Sequence, residues 1–212
     1  MPKFLIADDH PLFREALKGA LTPLYEEVQF VESDGLETTL ESIQACSDID
    51  IILLDLSMPG CEKFYGVIRV CGDFPDIPVI VISASDHPKI ISQALGYGAK
   101  GFVSKSAAVA SIAEAIDTVL EGGTWVPEDL KSSIDSISGE QQEIALMVAE
   151  LTPKQFQVLN YLQEGLLNKQ IAYDMDVTEA TVKAHTSAIF KKLKVNTRTQ
   201  AVLLVEKLQS NI

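Results

Sequence analysis

Ile51-Ile52-Leu53-Leu54-Asp55 is the stretch on which the reading of this chain turns. Four consecutive apolar residues closed by a carboxylate describe a short strand covered on both faces, as in a parallel sheet, with an acid at its carboxyl end. The same design recurs to either side. Phe4-Leu5-Ile6-Ala7 runs into Asp8-Asp9, Val79-Ile80-Val81-Ile82 into Ser83, and Gly101-Phe102-Val103 stops just before Lys105, while Val28-Gln29-Phe30-Val31 is a fifth short run. Between the runs lie stretches of helical period; in the last of them Val109, Ile112, Ile116, Val119 and Leu120 form one stripe that Gly122-Gly123 ends. Strands alternating with helices predict an α/β fold over residues 1–121, a five-stranded doubly wound parallel sheet.

Charge divides the chain. The 212 residues carry a net charge of -13. Residues 1–150 hold 9 Lys+Arg and 25 Asp+Glu, a net of -16, and residues 151–212 hold 8 and 5, a net of +3. An acidic first part repels nucleic acid, so only the second is a credible DNA-binding surface. Cys46, Cys61 and Cys71 match no metal-ligand spacing and are read as free thiols. The apolar run after Met1 is too short for a signal peptide, and none approaches the roughly 20 residues of a membrane span. A cytoplasmic protein without a membrane contact is expected.

Residues 122–148 are expected to be a linker with some helix. Ser132 to Gly139 reads as a loop, and Gln141 to Leu151 as a short helix. The remainder, residues 149–212, is all helical. Thr152-Pro153-Lys154-Gln155 combines an N-cap Thr, Pro at the first helical position and Gln three residues after the cap, and Gly165 stops that helix. A second helix spans Asn168 to about Met175, Thr178 caps a third reaching about Lys194, and Thr197 with Gln200 caps a fourth.

Ligands of doubly wound sheets bind beyond the carboxyl ends of the strands. That rule brings Asp8, Asp9 and Asp55 together, and crowded carboxylates with water in the remaining positions suit Mg²⁺. Ser83 and Lys105, at two further strand ends, supply a hydroxyl and an ammonium for phosphoryl oxygens. With the Met58-Pro59-Gly60 turn after Asp55, these residues resemble the receiver domain of response regulators, a flavodoxin-like fold, across roughly residues 1–121. The resemblance implies Asp55 as phosphoacceptor and Mg²⁺ held by Asp9, Asp55 and the Ser57 carbonyl, with Asp8 acting through water. It also implies Ser83 and Lys105 at the phosphoryl group, Phe102 as switch aromatic, and a sensor histidine kinase as phosphodonor. Cys61-Glu62-Lys63-Phe64-Tyr65-Gly66 departs from the usual acidic residue and glycine after that turn, so the third helix is expected to start differently. His10 is read as the start of the first helix, with Pro11 at the first helical position; a metal or phosphotransfer role is the alternative.

The C-terminal stretches Leu151-Thr152, Glu164-Gly165, Asn168-Lys169-Gln170-Ile171-Ala172, Thr181-Val182-Lys183-Ala184-His185, Lys192-Leu193 and Thr197-Arg198-Thr199-Gln200-Ala201-Val202 resemble the LuxR/NarL (FixJ) type of helix-turn-helix. On the third helix Val182, Thr186, Ile189 and Leu193 share an inner face, with Lys183, Ser187, Lys191 and Lys194 on another. Such a helix can enter a major groove of double-stranded DNA. Lys183, then Ala184 and Ser187, are the candidates for base contact; Lys169, Lys191, Lys192, Lys194 and Arg198 for phosphate contact. His185 either touches the DNA backbone or packs. Val202, Leu203, Val205 and Leu208 are read either as core or, by resemblance, as the face of an active homodimer. RNA polymerase is a candidate partner.

The combined expectation is a DNA-binding transcriptional regulator of a phosphorelay, not an enzyme, switched at Asp55. The alternatives are a regulator whose receiver answers a ligand or partner without phosphorylation, and an Asp-nucleophile phosphohydrolase. Ser57, two residues after Asp55, stands where such a hydrolase would hold a general acid.

Overall fold

The structure, a computed structural model, describes residues 1–133 and 139–209. It forms two compact units, Met1–Ile137 and Ser138–Ile212. The loop expected over 132–139 lies largely outside the described residues, although Gly139 itself opens a helix.

The first unit alternates β1 (Lys3–Ala7), α1 (Pro11–Leu21), β2 (Gln29–Ser33), α2 (Leu36–Ala45), β3 (Ile51–Asp55), α3 (Tyr65–Asp73), β4 (Val79–Ser83), α4 (Pro88–Gly96), β5 (Gly101–Ser104) and α5 (Val109–Leu120). All strand pairs are parallel, in the order β2-β1-β3-β4-β5. Every residue of β3 and β4 is buried, as their unbroken apolar composition requires of strands covered on both faces. β2 is an edge strand and leaves Gln29 and Glu32 exposed. Strand alternation sends Phe4, Ile6, Leu53, Ile80, Ile82 and Val103 into one core with Leu17, Leu21, Ile112 and Ile116 from α1 and α5.

The unit continues beyond the expected boundary at residue 121. Trp125 makes a parallel bridge to Gly101. Its N–H donates to the Lys100 carbonyl at 3.0 Å, and its carbonyl accepts from Phe102 N–H at 3.1 Å. The segment after α5 therefore covers the β5 edge, which would otherwise expose unpaired backbone groups.

The third helix does start differently. A 3-10 turn over Glu62–Phe64 precedes α3, and Phe64 takes a left-handed φ of 65°. Stacking of Phe64 edge-on against Tyr97, with centroids 5.7 Å apart, offsets part of the roughly 1–2 kcal/mol which that conformation costs. Gly66 is required here: a Cβ at this position would lie 2.2 Å from the sulfur of buried Cys61.

The second unit contains α6 (Gly139–Ala149), α7 (Pro153–Gln163), α8 (Asn168–Asp174), α9 (Glu179–Lys192) and α10 (Arg198–Gln209). The Thr152/Gln155 capping box forms as expected, and Gly165 supplies the positive φ (84°) that ends α7. Thr178 caps α9, and Thr197 with Gln200 starts α10.

The linker assignment needs correction. α6 is part of the helical unit, with Ile144, Ala145 and Val148 buried and packed on α10. Gln141 donates to the Lys207 carbonyl at 3.0 Å, and Lys207 pairs with Glu140 at 2.6 Å. The helix starts two residues before the expected Gln141 and ends two before Leu151. No described helix is long and apolar enough to cross a membrane.

Candidate functional site

The sheet order places β1 beside β3, so chains leaving their carboxyl ends diverge and open a crevice between them. Asp8 and Asp55 stand there with side chains 3% and 1% accessible; Asp9 is partly exposed. The Lys105 ammonium enters from the end of β5, 2.7 Å from Asp8 Oδ2 and 3.0 Å from Asp55 Oδ2. It also lies 4.9 Å from the centroid of the Phe13 ring. Burial alone lowers the pKa of such an amine and is the largest single influence. The two carboxylates together outweigh it, and the pKa of Lys105 is raised.

One lysine does not satisfy this pocket. Asp55 Oδ1 is buried with neither a hydrogen-bond donor nor an ion-pair partner. Asp8, Asp9, His10 and Asp55 each offer a ligand atom, all within 4.8 Å of one another. Buried, under-compensated carboxylate oxygens at this spacing fit a hard divalent cation.

Ser83, also buried, ends β4, and its hydroxyl accepts from Ser85 N–H at 3.2 Å. Lys105 N–H donates to the Ser83 carbonyl at 2.8 Å, which ties the two strand ends together. Phe102 is fully buried on the sheet face that also carries Ser83, its register partner being Val81. Ser57 is exposed in the loop two residues beyond Asp55.

Sequence reasoning missed two neighbours, Phe13 and Arg14, and held a metal role for His10 only as an alternative. Phe13 faces Lys105, Arg14 donates to the Asp8 carbonyl at 2.6 Å, and the His10 ring Nδ1 lies 2.7 Å from Asp9 Oδ1 and 3.1 Å from Asp8 Oδ1. The signal was available: a helix opened by Pro11 one residue after β1's acids must lay its first turn against them.

In the second unit α9 buries Val182, Ile189 and Leu193 and exposes Lys183, Ala184, Ser187 and Lys191, as the periodicity predicted. Lys169 and Lys194 are exposed as well, and His185 is half-buried. The Ser187 hydroxyl donates to the Lys183 carbonyl at 3.0 Å, leaving it an acceptor for contacts outward. Two expectations are corrected. Lys192 donates to the Glu150 carbonyl and to Gln155 Oε1, both at 2.7 Å. Arg198 donates to the carbonyls of Leu166 and Leu162 at 2.8 and 2.9 Å. In this structure their charged heads are engaged by protein oxygens near helix ends and tie the helices of the bundle together. In α10, Val205 and Leu208 are core, Val202 is half-buried and Leu203 exposed.

An acidic pocket at the switch point of a doubly wound sheet, in a chain that also presents a basic helix on a helix-turn-helix, defines a signalling switch joined to a nucleic-acid-binding module. Comparison with known proteins is specific. Residues 4–117 match the response regulator receiver domain, and residues 149–205 match the bacterial regulatory proteins of the luxR family. The glycerol metabolism activator of Pseudomonas putida is 40% identical over 208 residues, covering 96% of this chain and 94% of that protein. The nitrate/nitrite response regulator protein NarL of Escherichia coli K12 is 29% identical, covering 95% and 93%. In fold, the chain is similar to RcsB of Salmonella enterica serovar Typhimurium bound to promoter DNA with a phosphomimetic: TM-score 0.58, 24% identity, 98% of each chain. The protein belongs to the LuxR/NarL (FixJ) family of two-component response regulators.

Proposed function

We propose that this protein is a DNA-binding transcriptional regulator whose receiver is phosphorylated on Asp55. The observation that carries the reading is the orphaned Asp55 Oδ1, buried beside a paired lysine at the mouth of the crevice. It is a nucleophilic oxygen with no competing donor. A carboxylate attacking the phosphorus of a phosphohistidine forms an acyl phosphate and releases the neutral imidazole. A sensor histidine kinase of the two-component class is the fitting donor.

Asp9 and Asp55, with the Ser57 carbonyl, would hold Mg²⁺, and Asp8 would act through water; when bound, the ion neutralises the charge that phosphorylation brings. Lys105, already seated on Asp55, would pair with the new phosphoryl oxygens, and the Ser83 hydroxyl would donate to them. Phe102 lies behind Ser83 on the same sheet face and would hold the rearranged β4–α4 connection in place. That local change biases a two-state equilibrium. In the helical unit, Lys183, Ala184 and Ser187 would face base edges, and Lys169, Lys191 and Lys194 the phosphates. The exposed Leu203 with Val202 supports a homodimer on DNA through α10. A polymerase contact would follow from promoter binding.

Small phosphodonor labelling tests the assignment. Wild type should incorporate one phosphoryl group in Mg²⁺, and Asp55→Asn none; persistent labelling of the variant would refute Asp55 as the acceptor.

A further inference from the structure

We infer that His10 adds a nitrogen ligand to the carboxylate pocket, so that the site also takes a borderline-soft transition ion such as Zn²⁺ in competition with Mg²⁺. The inference rests on the cation-binding reading of the pocket above and concerns a residue that reading does not use.

Lys105 and His10 divide the carboxylate oxygens of Asp8 between them. Lys105 sits on Oδ2 of Asp8 and Oδ2 of Asp55. His10 Nδ1 sits instead against Oδ1 of Asp9 and Oδ1 of Asp8, at 2.7 and 3.1 Å. Asp55 Oδ1 has no hydrogen-bond partner. A ligand atom of His10 and one of Asp55 belong to the same group, whose atoms all lie within 4.8 Å of one another.

The spacing is suited to a small ion. Ligand atoms around a tetrahedral zinc with bonds of about 2.0–2.1 Å are roughly 3.4 Å apart. The pocket's four ligand atoms lie within 4.8 Å of one another with no ion present to draw them in. The required closure falls on His10 and the partly exposed Asp9, with side chains 65% and 32% accessible, and not on the buried Asp8 and Asp55. Its backbone is held meanwhile: His10 N–H donates to Asp8 Oδ1 at 2.8 Å, and α1 begins at the next residue.

Ligand chemistry then sets the preference. Three carboxylates alone favour hard ions, whereas an imidazole adds affinity for zinc, nickel or copper that magnesium does not share. An ion held by His10, Asp9 and Asp55 would occupy the acceptor oxygen and exclude Mg²⁺. Phosphorylation would then fall as zinc rises.

Calorimetric titration of the full chain with Zn²⁺ and with Mg²⁺ tests this without measuring activity. Wild type is expected to bind one Zn²⁺ that Mg²⁺ displaces competitively. His10→Ala should weaken that Zn²⁺ site by about 10–100-fold, the loss typical when support for a metal site is removed, and change Mg²⁺ affinity by less than about twofold. His10→Asn places a side chain favoured at helix starts there and should behave likewise, which separates ligation from any effect on the start of α1. Unchanged Zn²⁺ affinity in both variants, or equal losses for both ions, would overturn the inference. Absence of Mg²⁺ binding by the wild type would strike at the magnesium reading instead, and a His10-dependent Zn²⁺ site would survive it.

Discussion

Replacing Lys105 with Met removes the one ammonium within reach of two buried carboxylates. At 2.7 and 3.0 Å, each pair has a Coulomb energy of about 6 kcal/mol at an effective dielectric near 20. Desolvation of the three groups cancels much of that, and breaking a buried pair from one side is expected to destabilise the receiver by about 3–5 kcal/mol. The raised pKa of Lys105 fixes the pH range. Its contribution is complete below the ordinary lysine value of 10.5 and declines only as pH rises through the folded value, so it is constant across neutral pH in the wild type. Urea unfolding followed by Trp125 fluorescence reads this directly. Trp125 is the only tryptophan of the chain and packs on the receiver core. A loss below about 1 kcal/mol at neutral pH would refute the account of the pocket.

Three further outcomes follow from the same structure. Burial holds the pKa of Tyr25, Tyr65 and Cys61 above their ordinary values and pushes Tyr97 and Cys71 up to about 12. Because the fold favours their neutral forms, receiver stability should be complete below the free thiol value of 9.0 and fall as pH rises toward about 12; a urea midpoint unchanged through that window would contradict this. Gly66→Ala should cost roughly 1–3 kcal/mol by driving a methyl into Cys61, and Cys61→Ala in the same chain, which removes the sulfur but leaves the Cβ, should restore part of it, both read by urea unfolding. Lys183→Ala should weaken specific DNA binding by about 1–3 kcal/mol and relax the preference at one base position, measured by titration against operator variants.

The parallel sheet was legible because β3 and β4 are buried on both faces and their composition has no other explanation. The pocket was legible because chain direction in such a sheet delivers every strand end to the same side. Its walls were harder to read. Phe13 and Arg14 are ordinary first-turn residues until the start of α1 is laid against β1. The linker misled for a physical reason: α6 buries Gln141, Ile144, Ala145, Val148 and Ala149 yet exposes Leu146, so its apolar run marks no clear face, and its partner α10 lies some sixty residues downstream. Lys192 and Arg198 are spaced like phosphate contacts, but the carbonyls that claim them belong to residues far away in sequence. Charge pattern alone does not distinguish a solvated lysine from one that caps a neighbouring helix.

The most direct test of the central claim is DNA binding by the full chain from a random-sequence pool, with and without beryllofluoride in Mg²⁺, for wild type and Asp55→Asn. The account predicts that one site, with two-fold symmetry, is enriched strongly only for wild type with the mimic. Equal enrichment of the same site in all conditions would contradict it, and would mean that the helical unit binds DNA without a phosphate-driven switch at Asp55.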